Sequence, residues 1–226
     1  MEKKALLVLT KDKVRAEYNS HMKIITSLFL LFFMQSILFS DLIDEKLIKD
    51  AAKKYNAYAG NRFRSINRDL LQKLKQKNDL IKLNFVNTWV NQISYQSDAK
   101  LYGVNDYWAT LYEFVGKNMG DCEDYTISKY YILKELGIDP RRMKFTYVIY
   151  QNRQGKKISH MVLSYLKIPR PQSKKDILIL GNNNRLVLPA NKRRDIVTVV
   201  KMINGDTGPK SKKWKKLEAA MKRKKL

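Results

Sequence analysis

The sequence predicts an α+β fold in which N-terminal helices precede a cysteine-bearing helix packed on an antiparallel sheet. Three observations predict it. Apolar residues recur at helical spacing between residues 42 and 90. A later helix, starting at Asp121-Cys122, carries its own start and stop signals. Beyond it the chain changes to short apolar runs separated by turns, the pattern of antiparallel strands. Helices first and strands after is the α+β order.

Taken from the start, residues 1–40 read as a leader. Lys23 precedes an apolar run from Ile24 to Phe39, and the small Ser40 follows. That is the layout of a secretory signal, and the run is short for a membrane span. Met22 stands just before it and is a candidate true start. Export to the periplasm is the expectation. Residues 41–208 form the expected domain. Its first part places Leu70, Leu71, Leu74, Leu80, Ile81, Leu83, Phe85, Val86, Trp89 and Val90 at roughly helical spacing, with charges between them, as packing and solvent faces. Asp121 is an N-cap candidate, and Glu123 and Asp124 suit a first turn. Gly137 and Pro140 end that helix. Phe145–Tyr150 and Ile158–Leu166 read as a hairpin around Gly155, followed by strands at 177–180, 185–188 and 195–203. Residues 209–226 read as a basic tail, mobile or a loosely held helix.

The 226 residues, 44% apolar with thirteen Tyr, eight Phe and three Trp, suffice for a packed core. The charge of +24, from 45 basic against 21 acidic side chains, first points to nucleic acid. The distribution argues against it. Basic residues are scattered except after residue 209, where nine Lys or Arg meet one acid, Glu218. No zinc-finger spacing, RNA-recognition signature or phosphate loop is present. The tail has the composition to touch anionic lipid.

One Cys excludes an intrachain disulfide. If the leader is removed, the mature chain keeps one Cys, Cys122, and one His, His160. A thiol needs a base or a lowered pKa to act as nucleophile. A helix N-terminus offers partial positive charge and free N–H groups for an oxyanion. A strand packed on that helix can present His160, as in papain-like and transglutaminase-like sites. Asp121, Glu123 and Asp124 beside the thiol admit two readings: caps of the helix, which residue types alone favour, or hard oxygen ligands for calcium.

The runs Asn105-Asp106-Tyr107-Trp108-Ala109-Thr110, Gly120-Asp121-Cys122-Glu123-Asp124-Tyr125 and Ser159-His160-Met161-Val162-Leu163 resemble the bacterial transglutaminase-like cysteine peptidases. So do Leu188-Pro189-Ala190-Asn191-Lys192-Arg193 and Ile203-Asn204-Gly205. The likeness spans about residues 66–206. It implies a periplasmic, calcium-dependent endopeptidase with Cys122 and His160 as catalytic pair. Calcium would sit on Asp121, Glu123 and Asp124, with Asp106 a further candidate ligand. The implied substrate is a large RTX-type surface adhesin, cut near its N-terminus so that a biofilm disperses. The implied controller is an inner-membrane receptor of the LapD type that senses cyclic di-GMP. One departure stands out: where the family carries its third catalytic residue, an Asp, this chain reads Gly181, which makes Asn182, or Asn183 under a shifted register, the candidate to orient His160. The competing expectation is a catalytically weak module of the same fold that binds an adhesin or a receptor.

Overall fold

The computed structural model describes residues 43–223, so the leader expected at 1–40 lies outside the described residues. The helical first part is three helices with breaks between them. Asp44 caps α1 (Glu45–Lys54) by accepting from Leu47 N at 2.8 Å. Asn56 opens α2 (Ala57–Ser65) in the same way, accepting from Ala59 N at 2.9 Å. A π-helical stretch, Ile66–Gln72, extends α2, and Asn78 caps α3 (Asp79–Val90). Short polar side chains thus satisfy the free amides at each helix start.

A two-residue strand β1 (Ser94–Tyr95) and the short helix α4 (Asp98–Tyr102) lead to α5 (Leu111–Lys117). Thr110 and Glu113 close α5 with a reciprocal capping box. Then come β2 (Met119–Gly120), parallel to β1, and α6 (Cys122–Glu135), the helix expected at the cysteine.

The sheet follows, with five antiparallel strands: β3 (Met143–Gln151), β4 (Lys157–Leu166), β5 (Ile177–Leu180), β6 (Leu188–Pro189) and β7 (Ile196–Asn204). Their order is β6-β5-β4-β3-β7. The expected strand at 185–188 shrinks to the two-residue β6 at its far end, since residues 185–187 belong to the bent stretch that follows Gly181. The core lies between α6 and the sheet, where Ile127, Ile132 and Leu133 meet Phe145, Met161, Leu163 and Leu180.

The C-terminal segment is a helix, one of its two expected forms, but it is not loosely held: in Lys212–Arg223, α7, the residues Trp214, Leu217 and Met221 are buried in the main core. Trp214 stacks on Tyr131 at 6.2 Å and meets Phe145 edge-on at 5.1 Å. The lysines mask an apolar stripe at helical spacing, 214, 217 and 221. Gly208, at φ +59°, allows the chain to turn under the Trp214 ring, which a Cβ there would strike.

Candidate active site

The thiol sits on the first residue of α6 because the residues before it demand that placement. Gly120 passes so close that a Cβ would lie 2.5 Å from the Phe114 ring and 2.6 Å from Asp124 Oδ2. Asp121 takes the extended N-cap backbone, and its N–H donates to Asp124 Oδ2 at 3.2 Å. Thr126 Oγ1 donates to Cys122 O at 2.8 Å and to Met161 O at 3.2 Å. That hydroxyl fastens the first turn of α6 to β4, one residue from His160.

Cys122 and His160 line one cavity of about 210 Å³, walled by Glu123, Tyr147, Val148, Met161 and Val200. A larger cavity of about 680 Å³ shares Glu123, Tyr147 and Val200 with it and runs to Trp108 and the start of α7. A bulge in β7 sets Val200 into both: Tyr147 pairs with Lys201 and Val148 with Val199, leaving Val200 over. Trp108 is a wall of the larger cavity and meets Trp214 edge-on at 6.3 Å. Asp106 pairs with Lys213 of α7 and is not among the clustered acids, which corrects its candidacy as a ligand.

The thiol is protonated and hydrogen-bonded, donating to Glu123 Oε2 at 2.7 Å. Burial first, then the Glu123 carboxylate, push Cys122 well above the usual thiol range, while the Met161 amide works the other way. Burial first and the Arg193 guanidinium second lower His160 to about 4, so at neutral pH its ring is an unprotonated base. His160 Nε2 is buried without a hydrogen-bond partner, and so is Asn182 Oδ1. No hydrogen bond therefore joins the residue expected to orient the imidazole to the imidazole itself.

The acids separate into two roles. Carboxylate oxygens of Asp98, Asp121 and Asp124 lie within 4.8 Å of one another. Asp124 Oδ1 accepts from Ala109 N at 2.8 Å, and Asp98 Oδ2 from Tyr107 N at 2.6 Å. Asp98 Oδ1 and Asp121 Oδ1 are buried with no partner. Burial and mutual repulsion raise Asp121 to about 9 and Asp124 to about 8. Hard oxygens, three carboxylates and two orphaned lone-pair carriers are what a calcium ion fits. Glu123 stands apart from Asp98 and Asp124: within 4.8 Å of Asp121 and the thiol, it takes the thiol's hydrogen bond.

Sequence reasoning missed Asp98, Lys129 and Arg193. Asp98 follows Ser97 in a short polar stretch and reads as one more helix-start acid. Lys129 carried a legible signal: a lysine three residues after Thr126, on the face that α6 turns to the sheet.

A thiol at a helix start and an imidazole on the adjoining strand, facing one cleft, define a cysteine peptidase of the papain and transglutaminase type. The chain belongs to the bacterial transglutaminase-like cysteine proteinases (BTLCP), whose family profile matches residues 59–220. It is similar in structure to Legionella pneumophila LapG, at 32% identity over 80% of this chain and 96% of that one, with a TM-score of 0.63. An EGTA-treated form of LapG is 30% identical, over 80% and 96% of the two chains, with a TM-score of 0.61. A calcium-bound form is also 30% identical, over 77% and 97%, with a TM-score of 0.60. A search of curated protein sequences returns no match. Among the described residues no helix is long and apolar enough to cross a membrane.

Proposed function

We propose that this cysteine peptidase is a calcium-dependent, periplasmic endopeptidase that cuts a large RTX-type adhesin near its N-terminus and so disperses a biofilm. We assign its control to an inner-membrane receptor of the LapD type that reads cyclic di-GMP. The observation that carries the calcium dependence is the Asp98–Asp121–Asp124 cluster, whose last two acids lie on either side of Cys122 in the sequence and which leaves two buried oxygens unmet. Support for the substrate class comes from the likeness to LapG and from the sequence motifs, and for export from the apolar run before residue 41.

Asp98, Asp121 and Asp124 would hold the ion, with Glu123 at the rim beside the thiol. The ion would supply positive charge that offsets the carboxylates now raising the thiol. The protein's own residues carry the reaction. His160 takes the Cys122 proton, and the thiolate adds to the scissile carbonyl carbon. The first free N–H groups of α6 face the resulting oxyanion. His160 then returns the proton to the leaving amine, and water releases the acyl group from sulfur. Asn182 would turn its amide to His160 Nε2 and hold the ring, since both groups are buried and free.

The test mixes the purified protein with the N-terminal part of a large adhesin from the same organism, with calcium, with a chelator, and with Cys122→Ala. Cleavage that needs both calcium and Cys122 is the expected result. Cleavage indifferent to the chelator would return the acids to helix capping. Tight binding without cleavage would establish the alternative, a weak adhesin-binding module, which the unpaired His160 Nε2 favours. Asn182→Ala is expected to lower kcat with KM nearly unchanged, and an unaltered kcat removes Asn182 from the mechanism.

A further inference from the structure

The larger cavity carries positive charge that the reaction itself does not use. It adjoins the nucleophile, because it shares Glu123, Tyr147 and Val200 with the Cys122–His160 cavity. Much of its lining is apolar: Trp108, Tyr147, Val200, Ile203 and Pro209. Lys201, Lys210, Lys212 and Lys213 line it too, against two acids, Asp106 and Glu123. Both acids are engaged. Asp106 pairs with Lys213, and Glu123 accepts the thiol's hydrogen bond. Lys201, Lys210 and Lys212 are exposed, and among the described residues none of them forms an ion pair.

Two segments bring these lysines together. In the β3–β7 register Phe145 opposes Ile203 and Tyr147 opposes Lys201, so Lys201 shares the sheet face that buries Phe145. β7 is an edge strand, and an inward-facing lysine there also deters edge-to-edge pairing. That role accounts for Lys201 alone. Lys210 and Lys212 reach the same cavity from the turn into α7. The wall facing them is fixed in advance. Lys213 Nζ stands 5.4 Å over the Trp108 ring, and Trp214 meets that ring edge-on. A volume of about 680 Å³ has room for several side chains of an extended peptide.

We propose that this cavity is a specificity subsite for an acidic stretch of the substrate, Asp or Glu interleaved with apolar residues, a few residues from the scissile bond. Lys201, Lys210 and Lys212 hold the carboxylates, and Trp108, Tyr147 and Ile203 receive the apolar side chains. The lysines touch substrate away from the reacting atoms, so they bind ground state and transition state alike, and their effect falls on KM. Selection of a substrate rests on the peptidase reading; capture of an acidic chain does not.

The experiment reads cleavage and binding separately on the full chain. Wild type is given a mixture of peptides from digested cell protein, and the cut sites are read by mass spectrometry. Asp and Glu are expected to be enriched at a fixed position near the cut. The triple variant Lys201→Gln, Lys210→Gln, Lys212→Gln is expected to lose that enrichment. Its KM for an acidic peptide should rise on the order of 10-fold with kcat nearly unchanged. A control triple variant on α1, Lys46→Gln, Lys49→Gln, Lys53→Gln, removes the same charge outside the cavity and should keep both properties. Cut sites without acidic preference, or equal losses in the two triple variants, would overturn the subsite. Binding is followed in Cys122→Ala by the anisotropy of labelled Glu-Leu-Glu-Leu-Glu against Gln-Leu-Gln-Leu-Gln. The acidic peptide is expected to bind tighter, and the cavity lysines to be required for it. Binding of that kind in a protein that cleaves nothing keeps the cavity and rejects the peptidase reading. Cleavage indifferent to acidic residues keeps the peptidase and rejects the cavity.

Discussion

Two buried charge clusters flank helix α6 and they are opposites. On one side Asp98, Asp121 and Asp124 gather carboxylates with no cation. On the other Lys129 and Arg193 bring two basic groups, of which only Arg193 has a carboxylate partner, Asp195. Each cluster is expensive alone, because a low-dielectric interior magnifies unpaired charge. The difference lies in how each lowers its cost. The acids hold protons, as the raised values of Asp121 and Asp124 show. The guanidinium cannot shed its proton, so that side depends on Asp195 and on Lys129, whose ammonium is pushed far down by burial. The acid side answers to a divalent cation, whereas the basic side pairs its guanidinium with Asp195 and leaves an amine whose charged form burial disfavours.

Changes that break or sharpen this contrast run from large to small. The scale is set outside both clusters by Trp214→Ala, which should cost about 3–5 kcal/mol in a denaturant titration, since the ring is buried against Tyr131 and Phe145. Asp98→Asn should weaken calcium binding on the order of 100-fold by calorimetry, at least the roughly 10–100-fold that loss of an outer partner costs at a metal site. Unaltered affinity would take Asp98 out of the ligand set. Lys129→Met should stabilise by about 1–2 kcal/mol, the effect of replacing a buried amine without a hydrogen-bond partner by an apolar chain of similar length. A loss of stability there would mean that the amine has a partner worth more than its desolvation.

The smallest effect is on pH dependence. Asp121 and Asp124 keep their protons in the fold to about 9 and 8, whereas the unfolded chain loses them near 4. Between those values the fold binds more protons, so stability falls as pH rises. His160 acts oppositely but only between about 4 and 6.5. Metal-free protein should therefore melt lower at pH 8 than at pH 7, and calcium should flatten that slope. A flat slope without calcium would mean the acids are already ionised.

Much of the fold was legible because its signals are local. Asp121 before Cys122, with Gly137 and Pro140 after, set α6, and Gly155 set the hairpin that carries His160. The nucleophile and base were legible for a different reason, scarcity: one Cys and one mature His. Asp98 was not, since its place beside Asp121 arises from the chain's path between β1 and α5 and not from spacing. Arg193 was quoted only as part of a motif; nothing local says that its side chain turns inward to meet a glycine twelve residues earlier. The C-terminal helix was misjudged because nine basic residues outweighed a stripe of three apolar ones. The structure shows that stripe to be a closing face of the core.

The backbone amides of Tyr107 and Ala109 end on Asp98 and Asp124. The stretch from 98 to 110 is therefore buttoned to the acid cluster at two points, and it also leads into Trp108, a wall of the larger cavity. An ion held by those acids would act as a clasp on this segment, exchanging chain entropy for order. Its amide protons become reporters of occupancy: in hydrogen exchange, Tyr107 and Ala109 should slow when calcium is added, with the strands of the sheet unchanged. The cleft wall and the cation site would then rise and fall in order together, coupling substrate access to the ionic composition around the protein.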